Sequence, residues 1–228
     1  MTPIPTRILA GVAVPDTPLI SKALGYARQH CDDFTYNHVL RSWIFGIYIA
    51  DRVPELQNRD AELHSIAAIL HDLGWAASDT EFITKDKRFE VDGANATREF
   101  LRREGESREW DAHRLQLAWD AVALHTTWSL AVEKEAEVKA CCWGVLSDFT
   151  GPEKAPGGVL TREVWEGVVR EYPRLGFREG IKEKFCGLCR EKPRTTYDTF
   201  ASDFGERYVE GYSKVGFRDI DILAEAED

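Results

Sequence analysis

The chain has 228 residues, of which 43% are hydrophobic, 11% aromatic and 30% charged, a composition that excludes disorder, collagen and low complexity. Twenty-nine Lys and Arg against thirty-nine Asp and Glu give a formal net charge of −10, which argues against a nucleic-acid partner. No apolar run approaches the roughly 18 residues of a membrane span, and Met1 to Pro15 lacks a signal peptide's hydrophobic stretch, so a cytoplasmic protein with no membrane partner is expected.

The hydrophobic spacing is helical from Thr17 to Asp148, with no convincing alternation there. This predicts an all-α chain. Thr17 caps a first helix to about Gln29, and a second runs from near Thr35 to Asp51, where Arg52-Val53-Pro54 ends it. A third spans about Ala61 to Leu73, with Gly74 as its terminator. Trp75 to Phe89 reads as a loop, polar at Ser78-Asp79-Thr80-Glu81 and mixed in charge at Lys85-Asp86-Lys87-Arg88. Helices follow at about Asp92 to Arg103, Arg108 to Thr126 and Lys134 to Phe149, then a Gly/Pro loop. The last third offers helices at Arg162 to Glu171, Arg178 to Arg190 and Thr199 to Val209, with a frayed end at Glu225 to Asp228. One domain over residues 1–228 is expected, with a core at about 16–150 and a helical extension at about 151–228.

Three of the six histidines fall where the helices could bring them together: His38 early in the second, His71 ending the third and His125 near the end of the fifth. His71-Asp72 closes the apolar run Ile66 to Leu70, so both side chains should be buried and in need of a partner. A divalent metal is the simplest, since it neutralises a carboxylate and uses an imidazole lone pair. Asp148 ends another apolar helix in the same way. His30, His64 and His113 read as ordinary. Of the five cysteines, Cys141 and Cys142 lie in a helical pattern and read as small hydrophobes; Cys186 and Cys189 form a CxxC pair without the second pair or histidines that a zinc ribbon needs.

The order His38, His71-Asp72, Asp148, with separations of 33 and 76 residues, resembles the H…HD…D signature of the HD-domain metal-dependent hydrolases. Asn37 to Ser42 with Phe45-Gly46, Leu70 to Gly74, Arg88 to Ala94, Pro15 to Leu19 and Lys192 to Asp198 resemble segments of the cyanamide hydratase branch of that superfamily. The resemblance implies an HD-domain helical bundle and one divalent ion, zinc or else Fe2+ or Mn2+, on His38, His71, Asp72 and Asp148. It also implies water addition to the nitrile carbon of cyanamide, giving urea. Dinuclear relatives carry an extra histidine just before the Gly-Ala matching Gly93-Ala94; this chain has Arg88, Phe89 and Glu90 there, which favours one metal.

For that chemistry Asp72 or Glu90 would hold the proton of the attacking water, and His125 would supply one to nitrogen. His125 as an orienting contact or a core histidine remains open. Trp75, Phe89 and Thr126 would line a pocket for a small uncharged substrate, with Phe89 equally a core aromatic, and Arg41 would reach inward or join two helices by a salt bridge. An HD phosphohydrolase acting on nucleotides, needing more cations than these segments offer, is one alternative, and a metal-stabilised binding module another. Aromatics in the last third, Trp165, Tyr172, Phe177, Tyr208 and Tyr212, would suit a homodimer interface.

Overall fold

The computed structural model describes residues 4–75, 81–224 and 226. Among them the chain opens with an antiparallel hairpin, β1 (Thr6–Leu9) and β2 (Val12–Pro15). Its two turn residues, Ala10 at φ 47° and Gly11 at φ 79°, give the left-handed pair that matches strand twist in a two-residue loop. Strands of four residues carry too little periodicity to stand out in the sequence.

The other regular elements among the described residues are helices. α1 (Pro18–His30), α2 (Asp33–Ala50), α3 (Ala61–Leu70), α4 (Phe89–Glu104), α5 (Ala112–Ala123), α6 (Trp128–Ala131), α7 (Ala136–Thr150) and α8 (Arg162–Glu171) are followed by α9 (Phe177–Glu191), α10 (Ala201–Tyr208) and α11 (Asp219–Ala224). Side-chain caps set five starts among the described residues: Thr17, Asp32, Asp60, Asp111 and Thr161 accept from the backbone N–H of Ile20, Thr35, Leu63, Arg114 and Val164. Where a helix was expected its boundaries agree within a few residues, and α6 and α11 form where none was expected; around the site the small differences matter. α3 stops at Leu70, α4 begins at Phe89 where a loop was expected, and α5 ends at Ala123, which leaves His125 beyond the helix.

The described residues fall into two compact units, Met1–Ile83 with Phe89–Leu175, and Thr84–Arg88 with Gly176–Asp228. In the first, α2 is the central element, with 13 of its 18 residues buried. α7 runs antiparallel against it, so that His38 faces Asp148, Ser42 faces Gly144 and Gly46 faces Ala140. Glycine is required at this crossing: a Cβ on Gly144 would enter the envelope of the Ser42 carbonyl oxygen, and one on Gly46 would lie 2.9 Å from the Ala140 oxygen. In the second unit α9 packs on α10, with Phe185 edge-on to Phe200 at 4.7 Å. Cys186 and Cys189 are buried on α9, and Cys189 Sγ donates to the Ala201 carbonyl at 3.2 Å. None of the five cysteines is in a disulfide, and all are buried. Of the aromatics expected at a dimer surface, Tyr208 is exposed, but Phe177 is buried and Trp165, Tyr172 and Tyr212 are half-buried. Among the described residues no helix is long and apolar enough to cross a membrane. Residues 76–80, part of the loop expected over the pocket, and the chain end at 225, 227 and 228 lie outside the described residues.

Candidate metal centre

The site gathers on four segments of the first unit. His38 comes from the second turn of α2, and His71 caps the C-terminus of α3 with Asp72 directly after it. Glu90 sits in the first turn of α4, and His125 follows α5. The short 3-10 turn Leu73–Trp75 brings Asp72 back toward α4. Gly74 makes that approach feasible, because a Cβ there would collide with the Phe89 carbonyl. Close packing, not helix termination by a left-handed residue, is the reason for glycine at this position.

Each imidazole is oriented through Nδ1. His71 Nδ1 donates to the Ala68 carbonyl at 2.8 Å, His125 Nδ1 to the Val122 carbonyl at 2.6 Å, and His38 Nδ1 to Asp148 Oδ2 at 2.7 Å. A neutral imidazole so engaged has a lone pair at Nε2. The three Nε2 atoms surround Asp72: His71 and His38 lie 3.1 and 3.4 Å from Oδ2, and His125 lies 3.6 Å from Oδ1. His38 Nε2 and His71 Nε2 are themselves 3.3 Å apart. All these side chains are buried, and neither Asp72 oxygen has a hydrogen-bond partner.

A buried cluster made only of acceptors requires a cation. His38, His71 and Asp72 offer ligand atoms that all lie within 4.8 Å of one another, close to the separations around an ion with ligand distances of about 2.0 to 2.2 Å. The donor set of imidazole and carboxylate fits a divalent metal. A proton is the alternative occupant. Burial lowers the His71 pKa, but the Asp72 carboxylate more than offsets this and leaves it raised. Burial opposes ionisation of Asp72 too, yet His71 and the other two imidazoles hold its pKa below the usual carboxylate value. Burial and the neighbouring His71 push His125 down to about 4, so its Nε2 is an acceptor at neutral pH.

Asp148, expected as a metal ligand, stands outside this group. Its carboxylate accepts from Arg41 Nε and Nη2, both at 2.8 Å, from Arg174 Nη2 at 3.1 Å, and from His38 on the Nδ1 edge of the ring. Against the cost of burial, His38 and Arg41 hold its pKa at about 2. It is the carboxylate that orients an imidazole from behind. Arg41, expected among substrate contacts, is instead fully buried in this ion pair and also donates to the Tyr172 carbonyl at 3.0 Å. Thr126, another expected substrate contact, donates to Glu90 Oε1 at 2.6 Å.

Trp75 and Phe89 are buried and stack at 5.1 Å, with the Phe89 ring edge-on to His125 at 5.6 Å. They form one aromatic side of the cluster. Phe149, which sequence reasoning passed over, meets His38 edge-on at 5.2 Å while 43% exposed. Arg174 was also missed: it lies in an irregular segment after α8, with no periodicity to mark it.

Residues 35–143 match the family model of the HD domain. This stretch is similar to the HD domain. The match spans His38 and the His71-Asp72 pair and ends before Asp148, so the three residues that cluster all lie inside it. HD domains are all-α and bind divalent metals, and the family points to metal-dependent hydrolysis. No curated protein matches the chain.

Proposed function

We propose that this HD-like domain is a metal-dependent hydratase for a small uncharged nitrile-type molecule, with cyanamide giving urea as the leading reaction. The charge balance around the cluster is the observation that supports it. A phosphate ester calls for cations around its oxygens, yet Arg41 and Arg174 are committed to Asp148. The side chains that meet at Asp72 are the imidazoles of His38, His71 and His125, and the aromatic pair Trp75 and Phe89 packs beside His125. A compact neutral substrate matches that lining.

His38, His71 and Asp72 would hold the ion, zinc being the first choice for this donor set, with Fe2+ and Mn2+ as alternatives. When bound, it supplies Lewis acidity that makes water nucleophilic near neutral pH. The chain's own groups then move protons. Asp72 Oδ1 and His125 Nε2, 3.6 Å apart, form a pair of acceptors for the proton leaving the attacking water. With its pKa held low, His125 enters as a base, and the proton it takes up is the one it returns to the nitrile nitrogen. Glu90, fixed by Thr126, adds negative charge that favours the protonated ring in that interval.

The test is urea release from cyanamide by zinc-loaded protein, compared with H125Q. Metal-dependent urea formation, reduced by about 10² to 10⁴ in the variant as for a lost acid-base group, is expected. Metal-loaded protein that forms no urea would overturn the substrate, and nucleotide phosphate release in its place would establish the phosphohydrolase reading.

A further inference from the structure

The segment after α8, Tyr172 to Arg174, lies beyond the matched stretch of residues 35–143, yet it holds groups on both sides of His38, all within the first unit. One grip is main chain. The Tyr172 and Pro173 carbonyls accept from Arg41 Nη1 at 3.0 and 3.3 Å, and the Pro173 carbonyl also accepts from Asn37 Nδ2 at 2.8 Å. Asn37 directly precedes His38, and Arg41 follows it by about one turn of α2. The other grip is Arg174. Its Nη2 donates both to the backbone carbonyl of Asp148 and to Oδ1 of the same residue, the latter at 3.1 Å. Asp148 lies in the last turn of α7, where carbonyls lack intrahelical partners and a cation is favoured. Trp165 of α8 serves the preceding carbonyl, its Nε1 donating to Ser147 at 3.2 Å, and the Arg174 guanidinium lies over that indole at 5.2 Å. One nitrogen thus ties the backbone of Asp148 to its carboxylate, which fixes the rotamer that puts Oδ2 2.7 Å from His38 Nδ1.

We propose that Arg174 is a positioning residue for His38, acting through Asp148, so that the HD-like stretch is completed by a clasp from beyond its C-terminal end. Arg41 stands on the same helix as His38 and grips the carboxylate from that side; Arg174 is the group that joins the carboxylate to the end of α7. The consequence for metal affinity rests on the function proposed above, because it takes His38 as a ligand, but the positioning itself is read in metal-free protein. His38, His71 and His125 each donate through Nδ1, to Asp148, Ala68 and Val122. The last two are therefore internal controls for the first.

In metal-free, full-length R174M, proton–nitrogen correlation spectra of the imidazoles are expected to show the His38 Nδ1–H signal shifted or broadened away, with those of His71 and His125 at their wild-type positions. Zinc affinity from chelator competition should weaken about tenfold, the lower end of the cost of disturbing an orienting partner. R174K should recover both, because an ammonium has three donors and can serve both Asp148 oxygens from one nitrogen, as Nη2 does. An unchanged His38 signal in R174M would overturn the proposal. So would displacement of all three imidazole signals, which would make Arg174 a plain folding residue, or failure of R174K to restore the His38 signal. A His38 signal displaced alone, in a protein whose wild type retains no zinc, would sink the metal reading and leave Arg174 as the residue that positions His38.

Discussion

D148N changes one atom type at the point where two helices, two guanidiniums and one imidazole meet. Asp148 and Arg41 are both fully buried, and Arg41 makes two bonds of 2.8 Å to the carboxylate. The amide neutralises the only acceptor charge in that group of contacts and leaves Arg41 as a buried cation, an imbalance of about 3 to 5 kcal/mol. The pKa gives an independent lower figure. A shift from 3.8 to about 2 corresponds to about 2 kcal/mol of folding stability. For a depressed carboxylate this is present above pH 3.8 and is lost as pH falls through about 2. The larger figure applies to the variant because the amide, unlike a protonated native site at low pH, also presents N–H donors toward Arg41 and His38. Urea unfolding at pH 7 should therefore show a loss of about 3 kcal/mol or more with an unchanged m value. Metal affinity, read by chelator competition, should weaken by about 10- to 100-fold, the usual cost of removing an orienting carboxylate behind a histidine ligand. A stability loss below about 1 kcal/mol, the range of an exposed pair, would refute the buried-pair reasoning. Complete loss of metal with stability intact would return Asp148 to the ligand set.

Two further outcomes follow from the packing. G144A should lower stability by about 1 to 3 kcal/mol by overpacking, since backbone lies on both sides of the crossing; a thermal midpoint equal to wild type would show that α2 and α7 are not in such close contact. His64 is buried, with Arg59 Nε donating to its Nδ1 at 3.0 Å, and burial followed by the Arg59 charge holds its pKa well below 6.5. The unfolded chain takes up a proton below pH 6.5 while the native state does not, so this site's contribution is full above 6.5 and falls by about 1.4 kcal/mol per pH unit beneath it. Urea midpoints from pH 7.5 to 5.5 should decline more steeply in wild type than in H64Q, and equal slopes would contradict the assignment.

The residues easiest to read were those at the ends of apolar helices. His71-Asp72 follows a run in which every residue from Leu63 to Leu70 is buried, so a polar pair there had to be satisfied by something other than water. His38 was legible for a similar reason. What periodicity leaves undetermined is which edge of an imidazole a carboxylate meets, and Asp148 turned on that: the register of α7 against α2 puts it at Nδ1. The start of α4 was obscured by the charged stretch Lys85 to Arg88, whose clustering hides that Phe89 already begins the helix. That misplacement hid the role of Thr126 as Glu90's donor. Arg174 could not be found by pattern, because it acts on a carboxylate and a backbone carbonyl of Asp148, 26 positions earlier in the chain.

The cluster of acceptors around Asp72 is the centre of the account, and metal content tests it most directly. Elemental analysis of wild type and H71A, each equilibrated with a divalent ion and dialysed, is predicted to find one ion per chain in wild type and none in the variant. No retained ion in wild type, or full occupancy in H71A, would contradict it.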